Sequence, residues 1–131
     1  MIVVDTCVII WDALAPDKLS PRAKSAIQKA DKNYELLICD ISLWEIALLI
    51  KKKRIRVDDS PANLLRLTLN SRDYTVVAIS PEIADLAVNL NPEINGDPAD
   101  RLIVATSILK QAPLVTPDNN LLEAKMVKTI W

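Results

Sequence analysis

Histidine is absent from this 131-residue chain. That gap removes Ser-His-Asp triads, histidine general bases and histidine-ligated zinc or iron from consideration. Glycine is nearly absent too, and the one present, Gly96, can build neither a G-x-G-x-x-G turn nor a Walker loop. The two cysteines, Cys7 and Cys39, lie far apart in apolar, strand-like stretches. They read as buried thiols, in keeping with a reducing compartment. No charged segment followed by an apolar stretch opens the chain, and no apolar run approaches the roughly 18 residues of a membrane-spanning helix. The expectation is a cytoplasmic protein that spans no membrane. Excess charge of either sign is also missing: the formal net charge is −1. A polyanion would therefore have to be held by a local basic patch or through bound metal.

What is present is ordinary globular material, 50% apolar and 25% charged. A chain of this size forms one domain, 1–131, and buries roughly two thirds of its unfolded surface. Short apolar runs at Ile2–Val4, Leu36–Cys39, Thr75–Ile79, Leu114–Val115 and Val127–Ile130 read as buried strands. Between them lie helical segments. Ser20-Pro21, Ser60-Pro61, Ser80-Pro81 and Asp97-Pro98 each pair an N-cap with a first-turn proline. A further helix is expected from Ser42 to about Arg54. Ile83, Ala84, Ala87, Val88 and Leu90 make one apolar face, and Leu102, Ile103, Ile108 and Leu109 are core candidates in the helix after Pro98. Alternation of this kind predicts an α/β fold: a central parallel sheet of about five strands with helices on both faces.

Against that topology four acids stand out: Asp5, Glu45, Asp100 and Asp118, each where an apolar run ends or a helix begins. In a parallel α/β sheet those junctions share one edge. Taken singly, each acid has a structural explanation. Asp5 can cap the first helix, and Ser42-Leu-Trp-Glu45 fits a capping box. Asp97 is a natural N-cap that leaves Asp100 in a first helical turn. Asp118 follows Pro117 as a turn residue would. Together they are harder to explain that way. Two carboxylates about 4 Å apart repel by roughly 4 kcal/mol at an effective dielectric near 20. An all-oxygen, all-negative pocket suits a hard divalent cation.

These residues resemble a known family. Val4-Asp5-Thr6, Ser42-Leu-Trp-Glu45-Ile-Ala47, Asp97-Pro-Ala-Asp100-Arg101-Leu-Ile-Val-Ala-Thr106, Val115-Thr116-Pro-Asp118 and the closing Val127-Lys-Thr-Ile-Trp131 occur in the order and at the intervals of a PIN domain. More specifically, they resemble the single-domain VapC-type toxin ribonucleases of toxin–antitoxin pairs. The resemblance runs end to end. It implies a metal-dependent endoribonuclease, with Asp5, Glu45 and Asp100 holding one or two Mg²⁺ or Mn²⁺ ions and Asp118 as the more variable fourth acid. Thr6 and Thr116 match hydroxyl residues beside such sites, and Asp97 and Arg101 flank the third acid. It further implies an RNA substrate, a small antitoxin partner and a homodimer. The chain departs from the pattern at Cys7 and Asn95, where close relatives often carry histidine, and at Asn119, where arginine is common.

The basic run Lys51-Lys52-Lys53-Arg54-Ile55-Arg56 reads either as a solvated helix end whose cations complement the dipole or as a patch for RNA phosphates. Arg101 is expected to pair with a site carboxylate or with phosphate. Trp11, Trp44 and Trp131 are too dispersed for a base-stacking platform and read as core or interface packing. Two other enzyme classes fit poorly. A haloacid-dehalogenase-type phosphatase needs a second aspartate where Cys7 stands, and a receiver domain needs a phosphoacceptor on a central strand, for which Asp40 alone is available. The remaining alternative is a non-catalytic PIN-like module that binds RNA or protein, its acids only capping helices.

Overall fold

The computed structural model describes residues 1–131 and contains five strands: β1 (Ile2–Val4), β2 (Leu36–Cys39), β3 (Tyr74–Val77), β4 (Leu114–Val115) and β5 (Thr129–Ile130). All pair in parallel, in the order β3-β2-β1-β4-β5. Seven helices intervene: α1 (Thr6–Leu14), α2 (Pro21–Lys32), α3 (Asp40–Lys51), α4 (Pro61–Asn70), α5 (Pro81–Asn89), α6 (Pro98–Lys110) and α7 (Asn119–Glu123).

The short strands carry no polar alternation because both of their faces are covered. Successive side chains point to opposite sides of the sheet, so Ile2, Val4, Leu36 and Ile38 join one core and Val3, Leu37, Cys39 and Leu114 join another. The first core is closed by Val8 and Ile9 of α1, Ile27 of α2 and Ile46 of α3. The second is closed by Ile103 and Val104 of α6 and Leu121 of α7. The α/β sandwich expected from the sequence is what forms.

Local signals also held. Ser20, Ser60 and Ser80 each accept a backbone N–H as N-cap with proline next. Three details differ. The α3 helix starts at Asp40, not Ser42, so the proposed Ser42–Glu45 capping box does not form. Asp40 stands in its first turn, and its Oδ2 accepts the backbone N–H of Ile79 at 3.1 Å, a bond between distant segments that no local pattern displays. Second, Val88 and Leu109 point outward, 76% and 45% exposed. The buried stretch of α6 is instead Ile103 to Ser107. Third, a short helix, α7, follows Asp118 where only a turn was expected.

The strand order places the chain's reversal between β1 and β4. The chain winds outward through β2 and β3, then returns to the other side of β1. In open α/β sheets the carboxyl ends of the strands at such a reversal form a crevice. Asp5 directly follows β1 and Thr116 directly follows β4.

Candidate metal centre

Asp5, Thr6, Cys7, Glu45, Leu49, Asp100, Pro117 and Asp118 line one pocket of about 380 Å³. All four acids singled out from the sequence are therefore together, brought in by β1, α3, α6 and the β4–α7 junction. Neither lysine nor arginine lines the pocket. A larger cleft of about 900 Å³ lies beside α3 and is lined by Trp44, Ile55 and Arg56 among others. It holds no comparable convergence of acids, so chemistry, not volume, picks out the smaller pocket.

Hydrogen bonds fix how each acid is held. Asp5 is 7% exposed. Its Oδ1 accepts from Thr6 N at 2.7 Å as the α1 cap, and its Oδ2 accepts from Thr116 Oγ1 at 2.7 Å. Glu45, one turn into α3, takes no capping bond. Its Oε1 accepts from Thr6 Oγ1 at 2.5 Å, and the same hydroxyl meets buried Ser42 Oγ at 2.9 Å. Thr6 thus ties α1 to α3 at the site. Asp118 caps α7 through Asn120 N at 2.9 Å, and its own N–H donates to Thr116 Oγ1 at 3.1 Å. Asp97 caps α6, accepting from Ala99 N at 3.0 Å, and is exposed outside the pocket lining.

One residue that sequence reasoning left out of the site belongs to its frame. The side-chain amide of Asn95 donates to Asp100 Oδ2 at 3.1 Å and to Asp118 Oδ2 at 2.7 Å. Its signal in the sequence was the departure from histidine at that position. Ser42 was read only as a cap, and its place beside Thr6 depends on the early start of α3. Arg101 does not approach a carboxylate. Its guanidinium donates to the carbonyls of Ala87 at 3.0 Å, Leu90 at 2.6 Å and Ile94 at 3.3 Å, closing the end of α5 and the loop after it.

Electrostatics follow from this geometry. Burial raises the Asp5 carboxyl, against the lowering effect of the Thr116 hydroxyl and the Thr6 N–H, with nearby Asp118 and Asp97 raising it further. Burial likewise raises Glu45 despite the Thr6 hydrogen bond. Asp100 is pushed up from 3.8 to about 7, by burial first and then by the Asp5 charge. Burial disfavours the charged form of each of these acids, and no lysine or arginine in the pocket lining offsets it. Cys7 lines the pocket and is only part-buried, unlike the buried thiol expected from the sequence, with its thiol raised to about 12 by burial and the Asp5 charge. It is a neutral S–H at neutral pH, not a soft anionic ligand.

Whether a divalent cation suits these residues can be judged from the donors. No three acidic or thiol groups are already drawn into a closed cage. The available donors are carboxylate and hydroxyl oxygens, the set preferred by hard divalent ions. Each carboxylate oxygen that accepts one hydrogen bond retains a second lone pair. In the chemistry of their donors the residues fit such an ion.

Elsewhere, Lys51, Lys52, Lys53, Arg54 and Arg56 are all exposed where α3 ends, with Lys53 in a left-handed conformation at φ 57°. Trp11 and Trp131 pack together at 5.9 Å between centroids, whereas Trp44 is 59% exposed. No helix is long and apolar enough to cross a membrane.

Comparison with known proteins agrees with the resemblance seen in the sequence. A family model of the PIN domain matches residues 2–126. Ribonuclease VapC22 from Mycobacterium tuberculosis is 35% identical over 132 aligned residues, which cover 99% of this chain and 98% of that protein. Among solved structures, VapBC2 from Rickettsia felis, bound to a DNA fragment from its promoter, superimposes with a TM-score of 0.72 at 18% identity, covering 98% of this chain and 97% of that one. A toxin–antitoxin complex from Klebsiella pneumoniae gives 0.66 at 22% identity, covering 97% and 95%. At those identities the two structures speak for the fold.

Proposed function

The chain belongs to the PIN domain family, and from that premise we propose that it is an endoribonuclease, the toxin of a toxin–antitoxin pair, acting on RNA in the cytoplasm. The observation that carries the reading is the meeting of Asp5, Glu45, Asp100 and Asp118 in one pocket, lined by no lysine or arginine, at the reversal point of the sheet. Near full-length similarity to a ribonuclease of the VapC type supports it.

Asp5 and Asp100 would be the central ligands of Mg²⁺ or Mn²⁺, with Glu45 and Asp118 at the rim. When bound, such an ion lowers the pKa of a water and offsets charge gathering on phosphate oxygens. The chain's own contribution is orientation. The Thr6 N–H and the Thr116 hydroxyl aim the two oxygens of Asp5. Thr6 bonds both acids, through its N–H to Asp5 and its hydroxyl to Glu45, and so fixes Glu45 relative to Asp5; either carboxylate would accept a proton from an attacking water. Attack of that water on phosphorus would break the P–O3′ bond, its proton passing to a carboxylate and the departing 3′-oxygen taking a proton from solvent, which leaves a 5′-phosphate and a 3′-hydroxyl. The RNA 2′-hydroxyl has no part in this route, so its activation needs no histidine.

Lys51 to Arg56 leave the helix that carries Glu45, and would contact phosphates flanking the scissile bond. Partners in this reading are a small antitoxin and a second copy of the chain.

One alternative draws on particular bonds. Asp5, Asp97 and Asp118 all do cap helices, as a non-catalytic binding module would require. Glu45 does not, and capping gives no reason for the Asp100 carboxyl to be pushed up to about 7. The test is cleavage of total cellular RNA with Mn²⁺, mapping new 5′-phosphate ends, with EDTA and Asp5→Asn as controls. Discrete ends that vanish in both controls are expected. Metal-independent ends, or ends retained in Asp5→Asn, would overturn the assignment.

A further inference from the structure

The loop between α5 and α6 carries an arrangement that the proposed chemistry does not use directly. Asn95 Nδ2 lies within 3.1 Å of one oxygen from each of two acids, Asp100 and Asp118. Both oxygens are acceptors, so only the NH₂ end of the amide can face them. The other end is fixed independently: Asn95 Oδ1 accepts from Asn120 Nδ2, which also donates to Glu93 O at 3.2 Å. The orientation of the amide follows from the network.

Behind it stands Arg101. Its guanidinium gathers the carbonyls of Ala87, Leu90 and Ile94, so the residue just before Asn95 is clamped to the helix that carries Asp100. The rigid fork of arginine suits a task with several acceptors at set positions. Loop and helix therefore move as one unit, and Asn95 is presented to the acids from a fixed base.

We propose that Asn95 is a positioning residue for the metal centre: its amide holds the Asp100 and Asp118 carboxylates at a set separation and orientation, leaving their remaining lone pairs for the cation. The proposal rests on the nuclease reading above. It assigns the work of a charged or titratable orienting group to a neutral amide. An amide keeps its two donors at every pH at which the protein folds. Asn95 therefore adds no titration of its own to the pH dependence of metal affinity, which follows the acids it holds. Partners that orient metal-binding carboxylates commonly change affinity by roughly 10–100-fold when removed.

The test measures Mn²⁺ binding by the electron paramagnetic resonance signal of free Mn²⁺, on wild-type protein, Asn95→Ala, Asp118→Asn and the double variant, with unfolding in EDTA as the folding control. Asn95→Ala is expected to weaken Mn²⁺ binding roughly 10-fold. In the Asp118→Asn background the same change should cost distinctly less, because the amide then acts on one charged partner instead of two. A purely structural role would give equal losses in both backgrounds, and that result overturns the proposal. So does unchanged affinity in Asn95→Ala beside a wild type that binds. Failure of the wild type to bind Mn²⁺ would instead overturn the metal-centre reading itself. Should Asn95→Ala lose cooperative unfolding, Asn95→Ser takes its place, and the same comparison between backgrounds decides.

Discussion

Replacing Asp100 with asparagine should make the metal-free protein more stable while removing its activity. In the folded chain the Asp100 carboxyl titrates at about 7, against an ordinary value of 3.8. Below about pH 4 both folded and unfolded chains keep the proton, and the group is neutral with respect to folding. As pH rises from there toward 7, the unfolded chain releases the proton and the folded chain does not, so stability falls across that window and the loss is complete above it. At full burial the difference would be about 4 kcal/mol. Asp100 is only partly buried, and solvent screening reduces the effect to about 1–2 kcal/mol. Asparagine has nearly the same shape, carries no charge, and can still accept from Asn95. Urea unfolding in EDTA should therefore show Asp100→Asn more stable than wild type by about 1–2 kcal/mol at pH 8, with most of the gain gone at pH 4. In thermal melts the pH 8 gain is roughly 3–10 °C for a chain of this length. Adding Mn²⁺ should reverse the order, since only wild type gains a strong ligand set. A variant no more stable than wild type at pH 8, or equally stabilised at both pH values, would refute the picture of an acid strained by missing positive charge.

Other expectations follow from the same geometry. Saturating Mn²⁺, at about 100 times its Kd, should stabilise wild type by about 2.7 kcal/mol, and differential scanning calorimetry of Asp5→Asn should show little of that gain. Thr6→Val removes the hydroxyl shared by Glu45 and Ser42; RNA cleavage should fall by roughly 10–100-fold while the far-UV spectrum is kept. Arg72 binds Asp12 through two nitrogens, at 2.7 and 2.9 Å, and Asp31 at 3.1 Å. Arg72→Met strands the Asp12 carboxylate and should cost about 2–3 kcal/mol in urea denaturation, with specific activity of the folded fraction unchanged. Reversing charge at Lys51, Lys52 and Lys53 should lower the dependence of RNA affinity on salt concentration; an unchanged slope in fluorescence anisotropy would leave these residues as a solvated helix end.

The sheet and its acids were legible because their signals are local. Three-residue β-branched runs have few homes besides a doubly covered strand, and serine or aspartate before proline marks a helix start with little competition. Asp5, Glu45, Asp100 and Asp118 could be placed on one edge by topology alone. What escaped depended on contacts between distant segments. The start of α3 at Asp40 is accompanied by its bond to Ile79 N, a residue beyond the next strand. That shift moves Glu45 from a cap to the pocket wall. Arg101 resembled a partner for a carboxylate because it follows Asp100, yet successive helical residues face different directions, and it meets carbonyls at the end of α5 instead. The outward faces of Val88 and Leu109 were equally invisible to a pattern that counts apolar residues without knowing where neighbouring helices lie.

The pairing of β1 with β4 joins the first strand of the chain to one that begins at Leu114. During synthesis Asp5 is made 111 residues before Thr116, which orients that acid, and Asp118, which completes the pocket, is made later still. At roughly 5–20 residues per second, that delay lasts on the order of ten seconds. Until then Asp5 lacks the hydroxyl that orients it, and the pocket lacks the wall that Asp118 supplies. Strand order thus sets when the site can assemble: not before β4 has been made.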